Sequence, residues 1–160
     1  MTDKQKINLI DTTIFMLNDR KFKFDMRFFQ VMKETKKYPH TIVDPQRCGW
    51  DDVANSVVFN ECGTSCCLAG YGALAIRKKT KNVSWCEFIN THFGVDQNDY
   101  VYDFLFSAAI EQDRRDAAAR VLWFLNGESI IGWDEDDKFY EVFTSQCIEN
   151  ALQEIKGEIG

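Results

Sequence analysis

Six cysteines and two histidines are the residues of this chain whose types could do chemistry by themselves. Three of the cysteines, Cys62, Cys66 and Cys67, stand inside the run Cys62-Gly63-Thr64-Ser65-Cys66-Cys67-Leu68-Ala69-Gly70. A thiol becomes a nucleophile as the thiolate, and the first turn of a helix lowers its pKa. The run predicts a helix from Ser65 with Thr64 as its cap, which would put Cys66 and Cys67 in that first turn. A cysteine-dependent enzyme or thiol sensor also needs a base, and His40 is the histidine free to approach. Against this stands packing, because a Cys in an uncharged helix behaves as a small inert hydrophobe. Packing is the reading preferred here, so no catalytic residue is assigned.

Zinc is the second chemistry to weigh. Cys62 and Cys66 satisfy the spacing of one structural knuckle, and Cys48, Cys67, Cys86, Cys147, His40 and His92 are further possible ligands. A second knuckle is missing, so a zinc-stabilised module ranks below the other readings and no metal ligand is assigned. His92, in Thr91-His92-Phe93-Gly94, reads more simply as the end of a helix before a glycine stop. Phosphate loop, dinucleotide fingerprint, nucleophile elbow and zinc-protease helix are all absent from the sequence, so no cofactor is implied.

Binding is a third possibility. Gly49-Trp50-Asp51-Asp52 is echoed by Gly132-Trp133-Asp134-Glu135-Asp136. Read functionally, Trp50, Asp51, Asp52, Trp133, Asp134, Glu135 and Asp136 form aromatic-acidic patches that dock a basic protein partner. Read structurally, each Trp packs beside an Asp-capped helix start, and the usual burial of aromatics favours that. Net charge is −6, distributed as +4 over residues 1–40, −3 over 41–127 and −7 over 128–160. An acidic chain repels phosphates, so nucleic acid is a disfavoured partner. A DNA mimic would need more charge than this.

Helices must position these residues. Ile7, Ile10, Ile14 and Leu17 mark a helix from about 3 to 18, capped by Thr2 or Asp3. The alternation Arg20-Lys21-Phe22-Lys23-Phe24 suits a short strand, and Asp25 opens a second helix to about residue 36. Both prolines lie in the irregular stretch 38–60, where Val57-Val58-Phe59 is a possible strand. From Ser65 to Ile76 no residue is charged, which places a helix over 65–79 inside the protein. Gly70 and Gly72 cost that helix roughly 1 kcal/mol each relative to Ala, a cost that close packing would offset. The basic group Arg77, Lys78, Lys79 and Lys81 suits its C-terminus.

Further helices are predicted over about 84–93, 99–110, 112–126 with Gly127 as stop, and 138–156. In the fourth of these, Phe139, Val142, Phe143, Cys147, Ala151, Leu152 and Ile155 make the apolar stripe, while Arg114 and Arg115 read as a solvated start of the third. The expected fold is mainly α, with room for one or two short strands: a single helical domain, 1–160, around a central buried helix. No apolar run reaches the length of a membrane span, and residues 1–8 lack a secretory pattern. The expectation is therefore a cytoplasmic protein with reduced thiols and no membrane partner.

The nine-residue run also resembles the signature of a group of small, largely uncharacterised phage and bacterial proteins. In that group Cys-Gly-Thr is followed by two small residues, then Cys, Ile or Leu, Ala and Gly. Cys62, Gly63, Thr64, Cys67, Leu68, Ala69 and Gly70 match; Tyr71 stands where Trp or His is usual, and Cys66 is an extra thiol. Phe24-Asp25-Met26, Gly94 and Leu105-Phe106 resemble the group's layout as well. The resemblance implies a phage-encoded protein in the host cytoplasm. Together with the missing catalytic motifs, it points to a non-enzymatic modulator or inhibitor of a bacterial host or defence protein.

Overall fold

The computed structural model describes residues 1–20, 23–24, 30–31, 65–66, 68–76, 85–106, 113–130 and 144–160. Six helices run through them: α1 (Asp3–Asn18), α2 (Leu68–Ile76), α3 (Trp85–Phe93), α4 (Tyr100–Phe106), α5 (Arg114–Leu125) and α6 (Ser145–Ile159). The architecture is mainly α. Three two-residue strands, β1 (Lys23–Phe24), β2 (Gln30–Val31) and β3 (Ser65–Cys66), form a small sheet in the order β1-β3-β2. β1 runs parallel to β3, with Phe24 opposite Cys66, and β2 runs antiparallel to it, with Val31 opposite Ser65.

The sheet corrects two expectations. A helix over 25–36 is interrupted by Gln30–Val31, which pair with β3 instead. β-branched Val31 suits a strand, and the partner strand decides the outcome over local apolar spacing. The central helix starts at Leu68, not Ser65, because Ser65–Cys66 extend into the sheet. Cys66 is thus a residue of the middle strand and not of the first turn of the helix.

The buried character of the central helix holds. Leu68, Ala69 and Tyr71 are fully buried, and α2 packs chiefly on α1. α1 is the wider hub, with α2, α3, α5 and α6 all against it. That explains why its buried set, Leu9, Ile10, Thr12, Thr13, Met16 and Leu17, exceeds a single stripe. A Cβ on Gly72 would lie 2.5 Å from Cζ of Phe93 and 3.3 Å from Cε1 of Phe88. Phe93 is itself buried, stacked on Phe106 at 5.8 Å and edge-on to Phe88 at 6.0 Å. The small face of α2 therefore admits an aromatic layer carried by α3 and α4.

Helix ends are closed by specific partners. Thr2 caps α1 in a reciprocal box: its Oγ1 accepts from the Gln5 amide, and Gln5 Oε1 accepts from the Thr2 amide. Nε2 of the same Gln5 amide donates to the Thr91 carbonyl (3.3 Å), and Asn8 Nδ2 donates to the His92 carbonyl (3.0 Å). Both carbonyls belong to the last turn of α3, where the helix itself supplies no donor and these side chains take that place. Gly94 follows at φ +69°, its amide bonded to the Asn90 carbonyl, as the glycine stop predicted. The positive φ is what requires glycine; a Cβ there would also displace Gln5 Oε1, 2.5 Å away, from its place in the cap of α1. α5 ends similarly at Gly127 (φ +74°), where Glu128 bonds back to Trp123 and Gly127 to Phe124.

α6 begins at Thr144, whose backbone is extended and whose hydroxyl caps Cys147. A continuous helix from 138 is therefore not what forms. The stripe shifts accordingly: Ile148 and Leu152 are buried, Ala151, Ile155 and Ile159 lean on the core, and Cys147 is exposed. No helix of the described residues is long and apolar enough to cross a membrane.

Candidate functional site

Two groupings of polar side chains stand out among the described residues, one inside the protein and one on its surface. The inner one gathers where α1 ends, α2 begins and α5 begins. Tyr71 donates its hydroxyl proton to Asp19 Oδ2 (2.9 Å) and accepts from the Arg114 guanidinium (2.5 Å). The same Arg114 nitrogen reaches the Met16 carbonyl in the last turn of α1 (2.8 Å). The guanidinium also lies over the Tyr71 ring, 5.2 Å from its centroid, and Phe15 meets that ring edge-on at 5.8 Å. A carboxylate at a helix C-terminus is normally unfavourable. Here Arg114, 3.9 Å from Asp19, offsets that by placing a cation at the same end.

This geometry clamps α1, α2 and α5 to one another. Burial pushes the Tyr71 phenol far above its ordinary value, although the Arg114 charge pulls the other way. The hydroxyl keeps its proton at neutral pH, so it is neither base nor nucleophile. The expectation that Arg114 is a solvated helix-start residue is corrected. Its guanidinium is drawn in by the Met16 carbonyl, the Tyr71 oxygen and ring face, and the Asp19 carboxylate.

The clamp gives a prediction. Tyr71→Phe removes both hydroxyl bonds and lowers stability by about 1–3 kcal/mol. It also changes the alkaline limb. A phenol raised in the folded state contributes stability that is intact below about pH 10 and falls as pH rises toward the folded value. Urea titrations from pH 8 to 11 check this: stability of the parent protein drops above pH 10, and the drop is smaller in Tyr71→Phe. Equal drops would assign the alkaline loss elsewhere.

The outer grouping surrounds Tyr100, the first residue of α4. Its neighbours Asp96, Gln97, Asn98, Asp99 and Asp103 are exposed with it. Asp96 Oδ1 accepts from the Asn98 amide (2.8 Å) and Asp99 Oδ1 from the Val101 amide (3.1 Å), which holds the turn in shape. Tyr100 is 76% exposed, against 42% for Met1 and 40% for Phe15, the other large exposed hydrophobics described. The inward side of α4 carries Phe104, Leu105 and Phe106, so Tyr100 is outside the core by its phase on the helix.

Of the residues singled out by sequence, His40, Trp50, Asp51, Asp52, Cys62, Cys67, Trp133, Asp134, Glu135 and Asp136 lie outside the described residues. So do Cys48, Thr64 and the basic group 77–81. Cys66 is described only as backbone of β3. Cys86 is half-buried with its Sγ 3.9 Å from the Tyr102 hydroxyl, and His92 stacks beside Phe88 at 4.5 Å. No group of three His, Cys, Asp or Glu able to hold a metal occurs among the described residues.

Asp19 and Tyr100 carry no reading in the sequence, and Arg114 reads there only as a solvated helix start. For Tyr100 a signal existed: Asp96-Gln97-Asn98-Asp99-Tyr100 is an aromatic set among carboxylates, as at Trp50 and Trp133. For Asp19 and Arg114 there was none, since 95 positions separate them and only the fold joins them. Compared with known proteins, the chain matches no family model, no curated protein and no solved structure.

Proposed function

We propose that this chain is a non-enzymatic protein-interaction module, phage-encoded, that modulates or inhibits a bacterial host or defence protein in the cytoplasm. The observation that carries the interaction reading is Tyr100, 76% exposed among the exposed carboxylates Asp96, Asp99 and Asp103. A Tyr side chain offers a large contact area with few rotatable bonds, so it anchors interfaces at little entropic cost. Carboxylates around it favour a basic partner and repel an acidic one. A net charge of −6 adds long-range attraction of the same sign preference. The phage and host side of the proposal rests on the resemblance of Cys62–Gly70.

The test is affinity capture from bacterial lysate with three baits: the parent protein, Tyr100→Ala and Asp103→Lys. Neither substituted side chain is buried, so both variants should keep the parental thermal midpoint. The expected result is one host protein retained by the parent at low salt and lost, or reduced at least tenfold, with either variant. Equal retention by all three baits would remove this surface from the proposal. Failure of the parent to retain any specific protein would remove the interaction reading itself.

A further inference from the structure

No further inference is drawn: the strongest candidate, the exposed Tyr100 patch with Asp96, Asp99 and Asp103 at the start of α4, belongs to the surface already described, and nothing in the structure shows what covers it.

Discussion

Asp116→Ala lowers the stability of the folded protein by about 3–5 kcal/mol, the cost of leaving a buried charge without its carboxylate. Asp116 and Arg120 are one helical turn apart in α5, joined at 3.0 Å, with side chains 3% and 1% exposed. The guanidinium also reaches the Phe104 carbonyl (3.4 Å) and lies 5.4 Å from the Phe104 ring centroid. Removing Asp116 takes away the anion but leaves the cation in place among Ala117, Ala118, Ala119 and Val121, all buried. Asp116 further sits in the first turn of α5, where the helix dipole favours a carboxylate.

A double replacement separates the pair's net worth from the cost of breaking it. Asp116→Leu with Arg120→Met removes both charges and leaves apolar side chains in their place, and it should recover most of the loss. Urea unfolding of the single and double variants is the measurement. A single-variant loss under about 1 kcal/mol would mean that the pair is effectively solvated. Total stabilities of about 5–15 kcal/mol make the expected loss a large fraction of the whole.

Substitution of Gly72 gives the second large effect, and two physical effects oppose each other there. Helix propensity alone makes Gly72→Ala more stable by about 1 kcal/mol, and Gly72→Leu nearly so. Packing says the reverse. The new Cβ would stand 2.5 Å from Phe93 Cζ and 3.0 Å from Cε2. The rim of a ring is cheap to displace when it is free to swing, but Phe93 is fully buried between Phe88 and Phe106.

Overpacking of this kind costs about 1–3 kcal/mol or more, so packing prevails. Gly72→Ala should lower stability by about 1–2 kcal/mol, and Gly72→Leu by more. Joining Gly72→Ala to Phe93→Leu should give a smaller loss than the two single effects added, because the shorter side chain vacates the contested space. Thermal unfolding of the three variants decides it. A stabilised Gly72→Ala would show that α2 and α3 separate easily and that the small face of α2 is incidental.

Helix ends were the part of the fold most legible in sequence, because capping is local chemistry. Thr2 or Asp3 before the first apolar stripe, Gly94 after Phe93, and Gly127 after Asn126 each mark a boundary from a few neighbouring residues, and the structure selects Thr2 as the cap. At α5 the sequence places the start at about 112, and the structure moves it to Arg114 because Asp113 Oδ1 accepts from the Asp116 amide. The short strand β3 was not legible. Ser65–Cys66 are strand only because Lys23–Phe24 and Gln30–Val31 lie beside them, about 35 to 42 positions earlier. Within its own neighbourhood the run Thr64 to Leu68 reads as a helix start.

Charged residues misled for a related reason. Arg114 and Asp116 have the composition of a solvated helix start, yet Asp116-Ala117-Ala118-Ala119-Arg120 pairs opposite charges one turn apart with only alanine between. Such a pair can be buried when both charges point the same way, and α5 buries it. The surface patch was half legible. The idea of an aromatic among carboxylates came from Trp50 and Trp133, while Tyr100 satisfies it among the described residues.

The ties between α1 and the rest of the chain have a consequence for how the protein is made. Gln5 and Asn8 hold partners 86 and 84 positions later. Asn18 reaches Glu149, 131 positions on, and Lys156 reaches back 145 positions to Asp11. Of the described elements α1 leaves the ribosome first, but its mates in α2, α3, α5 and α6 follow over an interval on the order of ten seconds. The apolar surface of α1 is covered in stages as those helices emerge, α2 first. Part of the apolar surface of α1 therefore stays without its native cover until α6 has emerged.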